Sequence, residues 1–159
     1  MSVTTDFGFV NETASTNTLS LTALDITSNY ALIADEPDKC VLSNVTCPID
    51  EPEVLTYGAR NITSVSSSIS NQNPPKVKGG IQYQIKLEEL LRTTSSTDAS
   101  FVVDDPIVAT VTIRHSKSGN ITGTKIDEVW GRLNSAIVKE DGTTRFSDLM
   151  RSALRPTED

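Results

Sequence analysis

Apolar side chains alternate with period two through the first two thirds of the chain and take helical spacing only near its end. The clearest strand covers Pro106–Arg114. Side chains alternate across a strand, so its apolar residues share one face and most of its polar residues share the other. The apolar face holds Ile107, Ala109, Val111 and Ile113, and the opposite face holds Val108, Thr110, Thr112 and Arg114.

Shorter runs of the same kind precede this strand, and polar links separate them. They predict an N-terminal hairpin at about 3–26 and then several sheet strands between about 30 and 115. The individual runs are Val3–Val10, Leu19–Ile26, Tyr30–Ala34, Cys40–Thr46, Val54–Val65 and Ile81–Leu91. The longest links are the turn-rich linker Ser66–Gly80 and the loop Thr93–Ser100, which is rich in Ser and Thr.

Two amphipathic helices are predicted after the last strand, at about 124–140 and 145–155. Thr124 with Asp127 approximates an N-terminal capping box, and Asp141-Gly142 is a suitable end for the first helix. Pro156 is expected to stop the second. The two apolar stripes are Ile126, Val129, Trp130, Leu133 and Ile137, then Phe146, Leu149, Met150, Ala153 and Leu154.

This order predicts an α+β fold, with an antiparallel meander of about five to seven strands followed by two C-terminal helices, in one domain over residues 1–159. Two helices hardly cover a sheet of five long strands, and only 36% of the residues are hydrophobic and 5% aromatic. We therefore expect an intertwined homodimer, in which two sheets join and helices are exchanged across the seam.

Composition and charge exclude several function classes. The net charge of −7 and the pI of about 4.7 lack the basic signature of a general nucleic-acid binder, so any such site must be one local face. No apolar run approaches the length of a membrane span, and the N-terminus does not resemble a signal peptide, which favours a cytosolic protein. No sequence motif indicates an enzyme, a cofactor or a metal site.

The cysteines Cys40 and Cys47 allow two interpretations. A turn at Ser43-Asn44 would place them opposite each other in a hairpin, where they could form a disulfide. One extended strand would hold them too far apart, as two free thiols.

Three segments resemble the coat proteins of single-stranded RNA bacteriophages, the levivirus-like coats. They are Ile85–Glu88, Glu51–Thr56, and Val111–His115 with the following Ile126–Leu133. The order of the predicted strands and helices also matches the family over Leu19–Leu154. It implies a dimer with one continuous sheet, an icosahedral shell built from many dimers, and packaged single-stranded RNA. It also implies binding of an RNA hairpin as translational repressor, a location in the virion, and assembly in the bacterial cytoplasm.

The resemblance, together with the alternation of side chains along the strands, predicts candidate sites. The sheet face opposite the apolar residues is expected to bind RNA through cations and hydrogen-bonding groups. Its candidates are Thr56, Arg60, Gln84, Lys86, Thr110, Thr112 and Arg114. The expected dimer seam consists of Ile126, Val129, Trp130 and Leu133. In the family the loop corresponding to Thr93–Asp105 clusters around the symmetry axes of the capsid.

Other interpretations stay open at this point. A secreted bacterial adhesin or fimbrial subunit would also have strands rich in Ser and Thr. His115, without a fixed Cys, Asp or Ser partner, is expected to be structural or solvated. Asp104-Asp105 is expected to be a solvated turn rather than a divalent-cation site between subunits.

Overall fold

A computed structural model describes residues 22–65, 79–139 and 141–151 of the chain. Its contacts divide the chain into two compact units, one formed by Leu24–Ser118 and the other by the two terminal segments. Each unit is described by itself. The first unit contains a sheet and one short helix, and the second contains two helices within its described residues.

The sheet is a five-stranded antiparallel meander in which each strand pairs with its neighbours in sequence, in the order β1-β2-β3-β4-β5. The strands are β1 Tyr30–Glu36, β2 Lys39–Asn44, β3 Val54–Ile62, β4 Gly80–Thr94 and β5 Val102–Ser116. Five strands lie within the predicted range, and the predicted α+β meander is confirmed. The register of β1 against β2 shifts between Leu32 and Ala34.

Glycines join the linker to the sheet where β3, β4 and β5 meet. Gly79 has a φ of +91°, which glycine adopts without steric cost. Gly80 pairs with both Ile62 and Ser116, and a Cβ at Gly80 would lie 2.4 Å from the carbonyl oxygen of His115. A larger residue at this position would push two strands apart.

The two faces of the sheet follow the predicted parity. Leu55 pairs with Leu42 and Leu87, and Leu87 pairs with Ala109, so one apolar row crosses four strands. Leu55 is 3% exposed and is the only buried hydrophobic side chain among the described residues. Other apolar side chains of this face, such as Ile85 and Ile107, stay about half exposed.

Three helices are described: α1 Ile26–Asn29, α2 Gly123–Ser135 and α3 Phe146–Met150. The predicted cap of α2 was wrong, because Thr122 rather than Thr124 accepts the hydrogen bond from the backbone N–H of Lys125. The predicted end of α2 was also wrong. The helix stops at Ser135, and a β-bridge between Val138 and Thr144 closes a turn around Gly142, whose φ is +82°.

Several other predicted boundaries differ from the structure. The described end of the expected strand Leu19–Ile26 is irregular and leads into α1, where Asp25 accepts a hydrogen bond from the backbone N–H of Ser28. The remainder of the N-terminal hairpin and most of the linker 66–80 lie outside the described residues. The predicted end of the second helix, near residue 155, was wrong, because α3 ends at Met150. β2 continues through Ser43 and Asn44, and both cysteines are free thiols.

Candidate functional site

All seven side chains predicted for the RNA-binding set fall on one face of the sheet. Cross-strand pairing arranges them in three rows that cross β3, β4 and β5. The first row is Thr56, Lys86 and Thr110, the second is Gly58, Gln84 and Thr112, and the third is Arg60, Gln82 and Arg114. Directly paired residues of antiparallel strands share a face.

The third row is held together by the amide of Gln82, which is not among the seven predicted residues. Gln82 is 8% exposed, and its Oε1 accepts hydrogen bonds from Arg114 Nε at 2.8 Å and from Arg60 Nη2 at 3.5 Å. One buried neutral acceptor therefore holds two guanidinium groups side by side. Their remaining N–H groups stay available for an anion, because each guanidinium carries five donors.

Lys86 lies where parity predicted, but its charge is partly compensated. Its Nζ is 2.9 Å from a carboxylate oxygen of Glu88, two residues along the same strand and on the same face. Both side chains are more than a third exposed, at 35% and 40%. A pair exposed to this degree contributes little stability and can exchange partners. The arginine row is thus a stronger anion site than Lys86.

The arginine row borders an open depression of about 490 Å³ on the same face. Gly58 lines this depression, as does Lys39 of β2, which pairs with Gly58. Glu36 and Asp38 line the same edge, and Glu36 lies 3.5 Å from Lys39. The depression is therefore cationic at the arginine row and of mixed charge at its far side, and Lys39 is a further residue that the sequence analysis missed.

The opposite face carries a cluster around Glu53. Tyr30 and Asn44 both donate hydrogen bonds to Glu53 Oε1, the amide at 3.0 Å, and Glu89 also hydrogen-bonds Glu53. The bond to Glu53 raises the pKa of Tyr30 to about 12 and lowers the pKa of Glu53. Burial, followed by the neighbouring Glu53, raises the pKa of Glu89. Because their pKa values are shifted in opposite directions, Glu89 is the carboxyl group of the pair that is protonated first as pH falls.

The four side chains of the expected dimer seam divide into two pairs along α2. Ile126 and Trp130 are partly buried, whereas Val129 and Leu133 are 45% and 54% exposed. Within each pair the spacing of four residues places the two side chains on adjacent turns of one helix face. The structure contains one chain, so their role in a dimer stays a prediction.

The residues considered outside these sets have ordinary structural surroundings. His115 hydrogen-bonds the hydroxyl group of Tyr83 at 3.1 Å through Nε2 and the carbonyl oxygen of Ser116 through Nδ1. The expectation of a solvated turn at Asp104-Asp105 was wrong, because both residues belong to β5 and Asp104 pairs with Arg92 at 2.7 Å. No helix in the described ranges is long and apolar enough to span a membrane.

Solved structures of virus particles share this fold. The virus-like particle protein of bacteriophage AVE015 superimposes with a TM-score of 0.78 at 23% identity, covering 94% of this chain and 92% of that one. The corresponding protein of bacteriophage GQ-112 gives a TM-score of 0.77 at 10% identity over 97% and 98%. That of Beihai levi-like virus 32 gives 0.53 at 15% identity over 83% and 92%.

The chain has the levi-like coat fold. The predicted resemblance is thereby confirmed at the level of the fold, over nearly the whole of both chains. No family model and no curated protein sequence matches the chain. The strand order and the face assignments could thus be predicted although sequence identity to these proteins is only 23% and 10%.

Proposed function

We propose that the chain is the coat protein of a single-stranded RNA virus of bacteria, and that its copies form an icosahedral shell around RNA. The observation that carries this proposal is the superposition on the AVE015 particle protein, which extends over more than nine tenths of both chains. A structural match limited to a small module would not include the surfaces through which such proteins assemble. The match here covers 94% of this chain and 92% of the particle protein, and the role we propose is structural rather than enzymatic.

Dimerisation is supported by the free edge of the described sheet. β5 pairs only with β4 among the described strands, and every residue from Val102 to Thr110 is exposed. A long exposed edge strand offers unpaired backbone groups to another strand. Two copies of β5 related by a two-fold axis would join the sheets into one and satisfy those groups. We expect the exposed Val129 and Leu133 of α2 to take part in dimerisation as well.

RNA binding is supported by the polar face of the sheet. A chain of net charge −7 has to concentrate its cations to hold a polyanion, and Arg60 and Arg114 are held together by Gln82. Threonine and glutamine side chains in the neighbouring rows can hydrogen-bond phosphates, sugars or unstacked bases. We propose that this face contacts packaged RNA and an RNA hairpin through which the protein represses translation. The protein then belongs to the virion and assembles in the bacterial cytoplasm.

Expression in bacteria without any other viral protein tests the proposal. We expect a large species in size-exclusion chromatography with an absorbance ratio typical of nucleoprotein, and uniform hollow particles in electron microscopy. Nuclease treatment of disrupted particles should release and degrade RNA. A soluble monomer across a range of salt, pH and protein concentration would contradict the proposal. Filaments without nucleic acid would favour the fimbrial alternative instead.

A further inference from the structure

The β4–β5 pair extends well beyond the rest of the sheet. Pairing of β3 with β4 ends at Val54 and Glu88, whereas pairing of β4 with β5 continues to Thr94 and Val102. The segments 89–94 and 102–107 therefore form a two-stranded projection, called here the ribbon. A two-stranded antiparallel pair is marginally stable by itself in water. Its direction has to be fixed by something other than β3.

Arg92 hydrogen-bonds residues both within the ribbon and outside it. Across the ribbon, its Nε and Nη2 bind the two carboxylate oxygens of Asp104 at 2.7 and 3.0 Å. Toward the β2–β3 loop, its Nη1 binds Asp50 and lies 2.7 Å from Glu51, and Nη2 donates to the carbonyl oxygen of Asp50 at 3.1 Å. These five hydrogen bonds match the five N–H donors of a guanidinium group.

The geometry of this cluster suits a permanent attachment. The Arg92 side chain is only 19% exposed, and hydrogen bonding to it lowers the pKa of Asp50 and of Asp104. A lowered carboxyl pKa means that the charged contacts persist at neutral pH and are lost as pH falls through the lowered pKa. Lysine cannot replace this arrangement, since an ammonium group has three donors and no planar fork.

The ribbon presents apolar side chains on both faces. Leu91, Val103 and Ile107 lie on one face and Val102 on the other, and all four are at least 41% exposed. Exposed apolar surface of this extent is typical of contact surfaces rather than of solvated hairpins. The ribbon also continues the exposed β5 edge that we propose pairs two copies. A second copy of the chain is therefore the partner that best fits it.

We propose that Arg92 is a positioning residue that fixes the direction of the ribbon, by joining both of its strands to the β2–β3 loop, for contact with a neighbouring copy in the shell. The part about the neighbouring copy rests on the proposed coat function. The part about the attachment does not, because it concerns contacts within one chain. The two parts can fail separately.

Hydrogen exchange measured by mass spectrometry on dilute, unassembled full-length protein tests the attachment. In Arg92→Gln we expect exchange of the ribbon amides to accelerate about tenfold or more, while peptides from β3 keep their protection. Arg92→Lys should resemble Arg92→Gln. Asp50→Asn should have an intermediate effect, because it removes a loop contact but leaves the pair with Asp104. Lys139→Gln, which breaks the 2.7 Å pair of Lys139 with Asp148, is the control and should leave the ribbon unchanged.

Unchanged ribbon exchange in Arg92→Gln, or full rescue by Arg92→Lys, would overturn the attachment. Particle assembly provides the second readout. Arg92→Gln should give irregular or fewer particles than wild type and Lys139→Gln, at equal protein concentration. Uniform particles of wild-type size from Arg92→Gln would overturn the role in assembly. Absence of particles from the wild-type protein would refute the coat function. The hydrogen-exchange data alone would then decide whether Arg92 attaches the ribbon to the β2–β3 loop.

Discussion

The two faces of the sheet differ in the interactions that fix their side chains. The polar face is organised by hydrogen bonds around one nearly buried amide, Gln82, which fixes two arginines. On the opposite face Leu55 is buried, while Leu32 in the same cross-strand row is 58% exposed. One face thus has its charged side chains fixed by contacts within a single chain. The other has apolar area that a single chain leaves partly uncovered, which agrees with a protein that completes its core by association.

The largest effect should come from the apolar face. Leu55→Ala removes a buried side chain and should lower the free energy of unfolding by about 2–5 kcal/mol. Leu32→Ala is the matched control in the same row and should cost less than about 1 kcal/mol in the unassembled protein. Denaturant unfolding at fixed low protein concentration measures both. Equal costs at the two positions would show that burial does not distinguish them and that the comparison of the faces is mistaken.

The next effect concerns RNA affinity on the polar face. Each cation that neutralises a single-strand phosphate adds about 0.7 to the slope of log affinity against log salt. Arg60→Ala with Arg114→Ala should flatten that slope by about 1.4. If the variant and the wild type bind equally at extrapolated 1 M salt, the variant should bind about 25-fold more weakly than the wild type at 0.1 M salt. Binding of RNA hairpins to unassembled protein at several salt concentrations measures this.

Lys139→Gln serves as a control that removes a cation from the other compact unit. Lys86→Met should flatten the slope less than either arginine, because Glu88 already compensates its charge. If the double arginine variant keeps the wild-type slope, the polar face is not the RNA site. Lys76 and Lys78, which lie outside the described residues, would then be the next candidates.

Gln82 variants separate stability from anion binding. Gln82→Met removes the shared acceptor and should destabilise the protein by about 1 kcal/mol, with a loss of RNA affinity, since the arginines lose their fixed positions. Gln82→Glu should retain stability or raise it, because a carboxylate pairs with both guanidinium groups. It should nevertheless abolish most RNA binding by neutralising them. Retained RNA affinity in Gln82→Glu would show that the arginine row does not bind phosphate.

The smallest effect is expected at the carboxyl pair on the apolar face. The raised pKa of Glu89 means that its contribution to stability is present at low pH and is lost as pH rises through that pKa. Glu89→Gln should therefore stabilise the protein at pH 8 by less than about 1 kcal/mol and leave it nearly unchanged at pH 4. Thermal unfolding across pH measures the difference. A gain in stability at pH 4 but not at pH 8 would show that the pKa of Glu89 is not raised in the folded protein.

The sequence by itself determined which residues share a face of the sheet. Side-chain alternation is a local property of a strand, so Thr56, Gln84 and Thr112 could be assigned to one face without knowledge of strand pairing. The same parity predicted the apolar row and, with the order of strands and helices, the fold. Helix ends were less accessible, because Thr122 and Thr124 are both acceptable caps and the choice depends on where the preceding link leaves the sheet.

Only the tertiary structure decided which polar residues act together. Gln82 became the centre of the candidate site because register places it between Arg60 and Arg114 on neighbouring strands. Arg92 became an attachment point because pairing places Asp104 opposite it and the β2–β3 loop beside it. Contacts of this kind join residues 12 to 42 positions apart in sequence. No local pattern records them, since their geometry depends on the register of whole strands.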